Sequence, residues 1–137
     1  MSWRRKAAAM SGWIWVRIGA IFGLLGVGLG AFGAHGLKEK LQTLGTTATF
    51  HTATEYHLYH ALALLAVGLL AAAGRPGSAL SVAGWSFLVG ILLFSGSLYA
   101  LAVTGYTKLG AITPLGGILF LVGWIALAVA AGGGPHP

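Results

Sequence analysis

The sequence predicts an all-helical integral membrane protein, a bundle of four transmembrane helices in up-down-up-down order. Only 7% of the 137 residues are charged, whereas an average soluble domain carries roughly 25%. Lys, Arg, Asp and Glu are absent from residues 18–37, 56–74, 76–107 and 109–137. Because a helix needs about 20 apolar residues to cross the bilayer, each of these stretches holds one span.

The ends of the predicted spans coincide with turn-forming residues. A glycine- and proline-containing turn at residues 74–77 separates the second span from the third. Gly105 ends the third span, and Thr113 followed by Pro114 begins the fourth, since proline is tolerated in the first turn of a helix. A fourth span that starts near Leu109 and kinks at Pro114 is the alternative. The predicted spans cover about residues 13–34, 56–73, 80–103 and 113–131 of a single membrane domain, 1–137.

The composition excludes several classes of protein. With 57% apolar residues and a mean hydropathy of +0.86, the chain has too little polar surface to cover a water-soluble globule. A soluble enzyme, a nucleic-acid-binding domain and a disordered chain are therefore excluded. The pI of about 10.2 rests on a net charge of only +6, so nucleic acid is not an expected partner. Cysteine is absent, which removes disulfide and thiolate chemistry.

The distribution of positive charge predicts the orientation in the membrane. Lysine and arginine are more frequent on the side that carries both termini, and this side is expected to be cytoplasmic. That side holds Arg4, Arg5, Lys6, Arg17 and Arg75, and the opposite, outer side holds Lys38, Lys40 and Lys108.

The basic N-terminus has an alternative interpretation as a cleaved signal peptide that ends near residues 31–33. The apolar stretch is long for a signal peptide, and its removal would leave an odd number of spans. We therefore expect the first span to be retained.

Glycines in the first span predict close helix packing, because small residues let membrane helices approach each other. The main expectation is packing within the four-helix bundle; the alternative is contact with a second copy of the chain, for which the first pair, Gly19 and Gly23, is the favoured candidate. The packing glycines are Gly19, Gly23, Gly26, Gly30 and Gly33.

The outer loop between the first two spans, residues 35–55, is too long to be only a linker. Leu37, Leu41 and Leu44 alternate with charged residues in an amphipathic pattern that predicts a short interfacial helix.

Polar residues from all four spans are expected to meet at one depth near the outer surface. Glu55 is one of only two acids and should turn inward to Tyr99, His35 or a backbone N–H, since a carboxylate facing lipid is costly. A helix N-terminal charge favoured by the macrodipole is the alternative. The candidate site consists of His35, Glu55, Tyr56, Tyr59, His60, Ser95, Tyr99 and Thr113.

Histidine spacing gives weak support to a metal site. His57 and His60 are three residues apart, and His51 lies four residues before Glu55, but no third ligand has a fixed position. A haem would need axial histidines on facing helices. We therefore expect no metal, no cofactor and, with so few acids and no nucleophile–base pair, no enzymatic activity.

Four segments carry a family resemblance. They read GAFGAHGL at 30–37, EYHLYHALA at 55–63, LFSGSLY at 93–99 and TPLGG at 113–117, followed by Gly123-Trp124. In this order they resemble the YgdD-like inner-membrane proteins, the "domain of unknown function 423" family, over about residues 14–130. The resemblance implies four spans with a retained first helix, a bacterial plasma-membrane location, and a relationship to a small eukaryotic transmembrane protein. It implies no activity.

These observations predict a non-enzymatic accessory or interaction subunit with a polar pocket at the outer end of the bundle. Its expected partners are membrane lipid and either a larger membrane protein complex or further copies of itself. The alternative is a small-solute or proton transporter or channel that acts as an oligomer, with Glu55 and His60 as titrating groups. A membrane enzyme with a metal bound by histidine and glutamate ranks last.

Overall fold

The described residues form one α-helical chain without a β-strand. A computed structural model describes residues 2–75 and 77–132. The helices are α1 (Trp3–Ala34), α2 (Lys38–Leu44), α3 (Thr47–Ala72), α4 (Ser78–Thr104) and α5 (Thr113–Gly132), and a 3₁₀ turn (Thr107–Ala111) precedes α5.

Four of the helical segments are long and apolar enough to cross a membrane. They are Ala9–Ala34 of α1, α3, α4 and the segment Thr107–Gly132 that includes α5. The prediction of an all-helical protein with four candidate spans is therefore confirmed. The second span differs most from its predicted bounds, since α3 begins at Thr47. Burial explains this early start. Phe50 and Ala53 are buried, so the buried face of α3 continues beyond the N-terminal end of the predicted span.

The two middle spans form the centre of the molecule. α3 packs against α4, α1 packs mainly against α3, and α5 packs mainly against α4. α1 and α3 run in opposite directions, because Gly12 of α1 lies against Ala72 of α3, whereas Gly33 lies against Phe50. The larger core cluster includes Leu64 and Val67 of α3, Phe87 and Ile91 of α4, and Phe120 of α5.

A series of glycines brings α1 and α3 into close contact. Gly12, Gly19, Gly26 and Gly33 are buried and recur every seven residues along α1. Each meets α3; a Cβ built at Gly19, for example, would lie 2.9 Å from the backbone nitrogen of Leu65. A strict seven-residue spacing drifts by only about 20° per repeat, so one face of α1 follows α3 along its whole length.

Of the five predicted packing glycines, all but Gly23 lie against α3. Gly30 approaches Thr54 of α3, but no described atom lies within 4 Å of a Cβ built at Gly23. The alternative in which Gly19 faces a second copy is wrong, because Ala61 and Leu65 of α3 occupy that position. The same alternative for Gly23 stays a prediction.

The outer loop is largely helical. α2 docks through Leu41, which is 1% exposed and packs with Phe50 and Ala102. Gly45 ends α2 with a φ of 67°, a left-handed conformation that glycine adopts without strain. The hydroxyl of Thr46 then donates a 2.7 Å hydrogen bond to the Ala102 carbonyl, which ties the loop to the end of α4.

Candidate functional site

The predicted polar residues do not form one cluster, and they lie at two depths. Tyr99 is five residues from the end of α4, about 8 Å along the helix axis. His60 contacts Trp124, which lies eleven residues into α5, about 16 Å from the start of that helix. The long α3 places His60 near its own midpoint. The expectation of a single common depth is therefore wrong.

Tyr99 belongs to a hydrogen-bonded group between α3 and α4. Its hydroxyl lies 3.0 Å from Nδ1 of His57 and 3.5 Å from Oγ1 of Thr54. Thr54 in turn donates to the Phe50 carbonyl. Because His57 and Thr54 already engage its hydroxyl, Tyr99 is not available to Glu55.

Glu55 does not turn into the bundle. Its carboxylate lies 3.5 Å from Nδ1 of His51, and the two side chains are 44% and 74% exposed. The predicted contacts with Tyr99 and His35 are not formed, and His35 is exposed beyond the end of α1. The alternative role as an N-terminal helix charge is also wrong, because α3 begins at Thr47 and has no acid in its first turn.

His60 is hydrogen-bonded at both ring nitrogens, within α3 through Nδ1 and to α5 through Nε2. Nε2 accepts a 3.0 Å hydrogen bond from the indole N–H of Trp124, and Nδ1 lies 2.6 Å from the Tyr56 carbonyl. An indole nitrogen only donates and a carbonyl only accepts, so His60 carries its proton on Nδ1 and is neutral. The ring is stacked on Phe120 with centroids 3.5 Å apart. Neither nitrogen is free for a metal or for proton transfer.

Two further predicted residues, Ser95 and Thr113, lie at other positions along α4 and α5. The Thr113 hydroxyl is 2.7 Å from that of Ser97, which joins the start of α5 to α4. Ser95 is fully buried, and its hydroxyl has no hydrogen-bond partner among the described residues. Nε2 of His57 is the other buried side-chain atom without a partner in this part of the chain.

Two cavities adjoin these residues. We call the first the outer cleft, a cavity of about 360 Å³ between α1, α2 and α3. We call the second the aromatic groove, a cavity of about 410 Å³ between α3 and α5. The outer cleft is lined by Gly30, Gly33, Ala34, Leu41, Thr47, Phe50, His51 and Thr54. The aromatic groove is lined by Tyr56, Tyr59, His60, Gly117, Phe120, Leu121 and Trp124.

Sequence reasoning missed several residues that hold these sites together. The sequence places His57 only in a weakly supported metal pair, although its burial follows from the spacing of Phe50, Ala53, His57 and Leu64 along one face of α3. Trp124 carries no comparable sequence pattern, because its role depends on which helix faces α3.

A metal site has no support in the geometry. Among residues 2–75 and 77–132, no three His, Asp or Glu side chains come together. The His51–Glu55 pair is exposed, and the His60 nitrogens are already bonded.

The four long apolar helices define the chain as a multi-pass membrane protein. The family described as "Protein of unknown function (DUF423)" matches residues 29–117, and the chain belongs to this family. The UPF0382 membrane protein YwdK of Bacillus subtilis (strain 168) is 50% identical over 118 residues, which cover 86% of this chain and 95% of that protein. A UPF0382 membrane protein of Haemophilus influenzae is 48% identical over 109 residues, 80% of this chain and 86% of the relative.

A staphylococcal relative extends the comparison. A UPF0382 membrane protein of Staphylococcus epidermidis is 45% identical over 117 residues, 85% of this chain and 93% of the relative. No solved structure matches the chain. The relatives confirm the predicted family and a multi-pass bacterial membrane protein.

Proposed function

We propose that the protein is a non-enzymatic accessory subunit that contacts a larger membrane protein through the outer cleft. One contrast carries this proposal. The polar side chains between the spans mostly bond each other, as His60 does with Trp124. In contrast, the ionisable pair His51 and Glu55 is exposed, and His51 lines the cleft.

The lining of the outer cleft suits contact with another protein. Gly30 and Ala34 give the α1 wall of the cleft little side-chain bulk, so a partner helix can approach it closely, whereas Gly33 is already covered by Phe50. Leu41 and Phe50, 1% and 4% exposed, form the buried apolar floor of the cleft, and His51 adds a polar edge. An apolar centre with a polar rim is the usual anatomy of a protein interface.

Photo-crosslinking in native membranes tests the accessory role. A photoreactive amino acid at Thr47, which is exposed and lines the outer cleft, should capture one membrane protein. That protein should also co-purify with the wild-type chain in a fixed ratio. The same amino acid at Val129, which is 65% exposed on α5, is the control and should capture lipid. Capture of the same protein from both positions, or no stoichiometric partner, would contradict the proposal.

The proposed arrangement in the membrane is up-down-up-down, with both termini in the cytoplasm and α2 outside. Two observations support it. Neighbouring long helices pack in opposite directions, and positive residues are more frequent on the side of the termini.

Thiol labelling in intact cells tests this orientation. The chain has no cysteine, so Gln42→Cys in α2 and Ser78→Cys at the start of α4 each introduce one thiol at an exposed position. A membrane-impermeant maleimide should label position 42 at once and position 78 only after permeabilisation. Labelling in the reverse order would place the termini outside.

The alternative function is a proton or small-solute transporter that acts as an oligomer. It has support from the buried, unpartnered polar atoms of His57 and Ser95, because such atoms line polar pathways in membranes. The neutral, doubly bonded His60 argues against its predicted titrating role. A homodimer that a solute stabilises against heat, with no other partner, would favour the transporter.

A further inference from the structure

We propose that the aromatic groove binds a neutral, planar, carbonyl-bearing lipophile of the quinone class that is dissolved in the membrane. The groove lies between α3 and α5 and is separate from the outer cleft. Its volume of about 410 Å³ falls in the range of small-molecule sites, about 300–1,000 Å³.

Aromatic rings form the floor and walls of the groove: His60 and Phe120 are each 4% exposed and form the floor, whereas Tyr56 is 39% exposed. His60 and Phe120 are stacked with an angle of 5° between their planes. Tyr56 lies within 18° of the His60 plane and 23° of the Phe120 plane. Trp124 is held in place by its hydrogen bond to His60. Tyr56 and Trp124, 39% and 47% exposed, are the rings that a ligand can reach. Because aromatic rings prefer offset stacking, they favour a planar ligand over a flexible chain.

Two phenols supply hydrogen-bond donors that the protein does not use. Tyr56 and Tyr59 are 39% and 55% exposed, and neither hydroxyl donates to another group of the described residues. Tyr59 lies twelve residues from the start of α3 and thirteen from its end, about 18 Å from the nearer terminus. An unpaired hydroxyl is costly in hydrocarbon, so the ligand should carry acceptor oxygens.

The groove also selects against charge. None of its lining residues is Lys, Arg, Asp or Glu, and the bonds to His60 keep that ring neutral. A charged headgroup would therefore lose its hydration without a counter-ion. A lipid tail would fit the apolar walls but would leave both phenols unpaired. A planar ring with carbonyl oxygens would both pack against the apolar walls and accept hydrogen bonds from the Tyr56 and Tyr59 hydroxyls.

Gly117 provides a variant that fills the groove. A Cβ at this position would lie 3.8 Å from the nearest atom of Phe94, an ordinary contact distance. Gly117→Leu therefore places a side chain in the space that the ligand would occupy. The Cβ of the new leucine collides with no neighbouring atom. Gly23→Leu on α1 is the matched control, because no described atom lies within 4 Å of its Cβ.

The test measures binding of duroquinone to the full-length protein in lipid nanodiscs. Retention above that of empty nanodiscs should saturate near one molecule per chain. Gly117→Leu should weaken binding by about tenfold or more, and Gly23→Leu should leave it unchanged. Tyr56→Phe combined with Tyr59→Phe should weaken binding about four- to hundredfold, because two hydrogen bonds are lost and each contributes about two- to tenfold. Durene, which has the same ring and methyl groups but no carbonyls, should bind as weakly to wild type as duroquinone binds to the double phenylalanine variant.

Three results would overturn the proposal. The first is retention that rises linearly with duroquinone and never saturates. The second is equal binding by the Gly117→Leu and Gly23→Leu proteins, or equal affinity for duroquinone and durene. The third is a disulfide-linked dimer of Leu121→Cys that forms equally with and without duroquinone, since a second copy would then occupy the groove.

Discussion

Substitution of Gly68 by valine is expected to force α1 away from α3 and to lower the thermal midpoint of the purified protein by about 4–12 °C. A Cβ at Gly68 would lie 2.6 Å from the backbone nitrogen of Val16 and 2.8 Å from the Gly12 carbonyl oxygen. Backbone atoms cannot rotate away as a flexible side chain can, so the helices must separate. Overpacking of this kind costs about 1–3 kcal/mol or more. Each kcal/mol shifts the midpoint of a domain of this size by about 4 °C.

The measurement is thermal unfolding in detergent. Loss of the monodisperse peak in size-exclusion chromatography reports the unfolding. Gly23→Val is the matched control, because it makes the same change where a Cβ has no described neighbour within 4 Å. Its midpoint should stay within a few degrees of wild type. Equal losses in the two variants would show that close approach of α1 and α3 does not hold the protein together.

This effect should be large because lipid weakens the usual driving force for packing. Hydrocarbon tails are as apolar as leucine, so membrane helices associate through close contact and interhelical hydrogen bonds. α1 buries the smallest share of its apolar segment among the four spans. The contact through its glycine series is therefore the main attachment of α1.

Substitution of His60 by alanine is the second large effect that we expect, with a loss of about 3–5 kcal/mol, the usual cost of deleting a buried aromatic side chain. The ring is 4% exposed and stacked on Phe120. Its removal also leaves the Trp124 N–H without its acceptor. A cavity and an unpaired donor would then lie together between α3 and α5.

The loss in the free energy of unfolding is measured by titrating a denaturing detergent into protein held in a mild detergent. His35→Ala is the control, because His35 is exposed at the end of α1 and should tolerate the change. A double-mutant cycle with Trp124→Phe should give a coupling of about 1 kcal/mol, the worth of one hydrogen bond. Similar stability of the His60→Ala and His35→Ala proteins would rule out a linking role for His60.

The sequence alone determined the class of protein and the number of spans. Ten charged positions divide the chain into four apolar stretches, and a bilayer of fixed thickness turns each stretch into one helix. Turn residues also marked the ends correctly where local conformation decides, as at Gly105, which ends α4 with a φ of 71°. These properties depend on neighbours along the chain, and a sequence displays such neighbours directly.

The partners of the polar side chains were decided only by the tertiary structure. The sequence singled out Glu55 and His60, but Glu55 pairs with the exposed His51 and His60 pairs with Trp124, 64 residues away. Local patterns cannot supply such partners, because they depend on which helix lies beside α3 and on its rotation and axial position. Hydrocarbon accepts many rotations of an apolar helix almost equally. Interlocking contacts such as those at Gly68 and Gly12 therefore select a single arrangement.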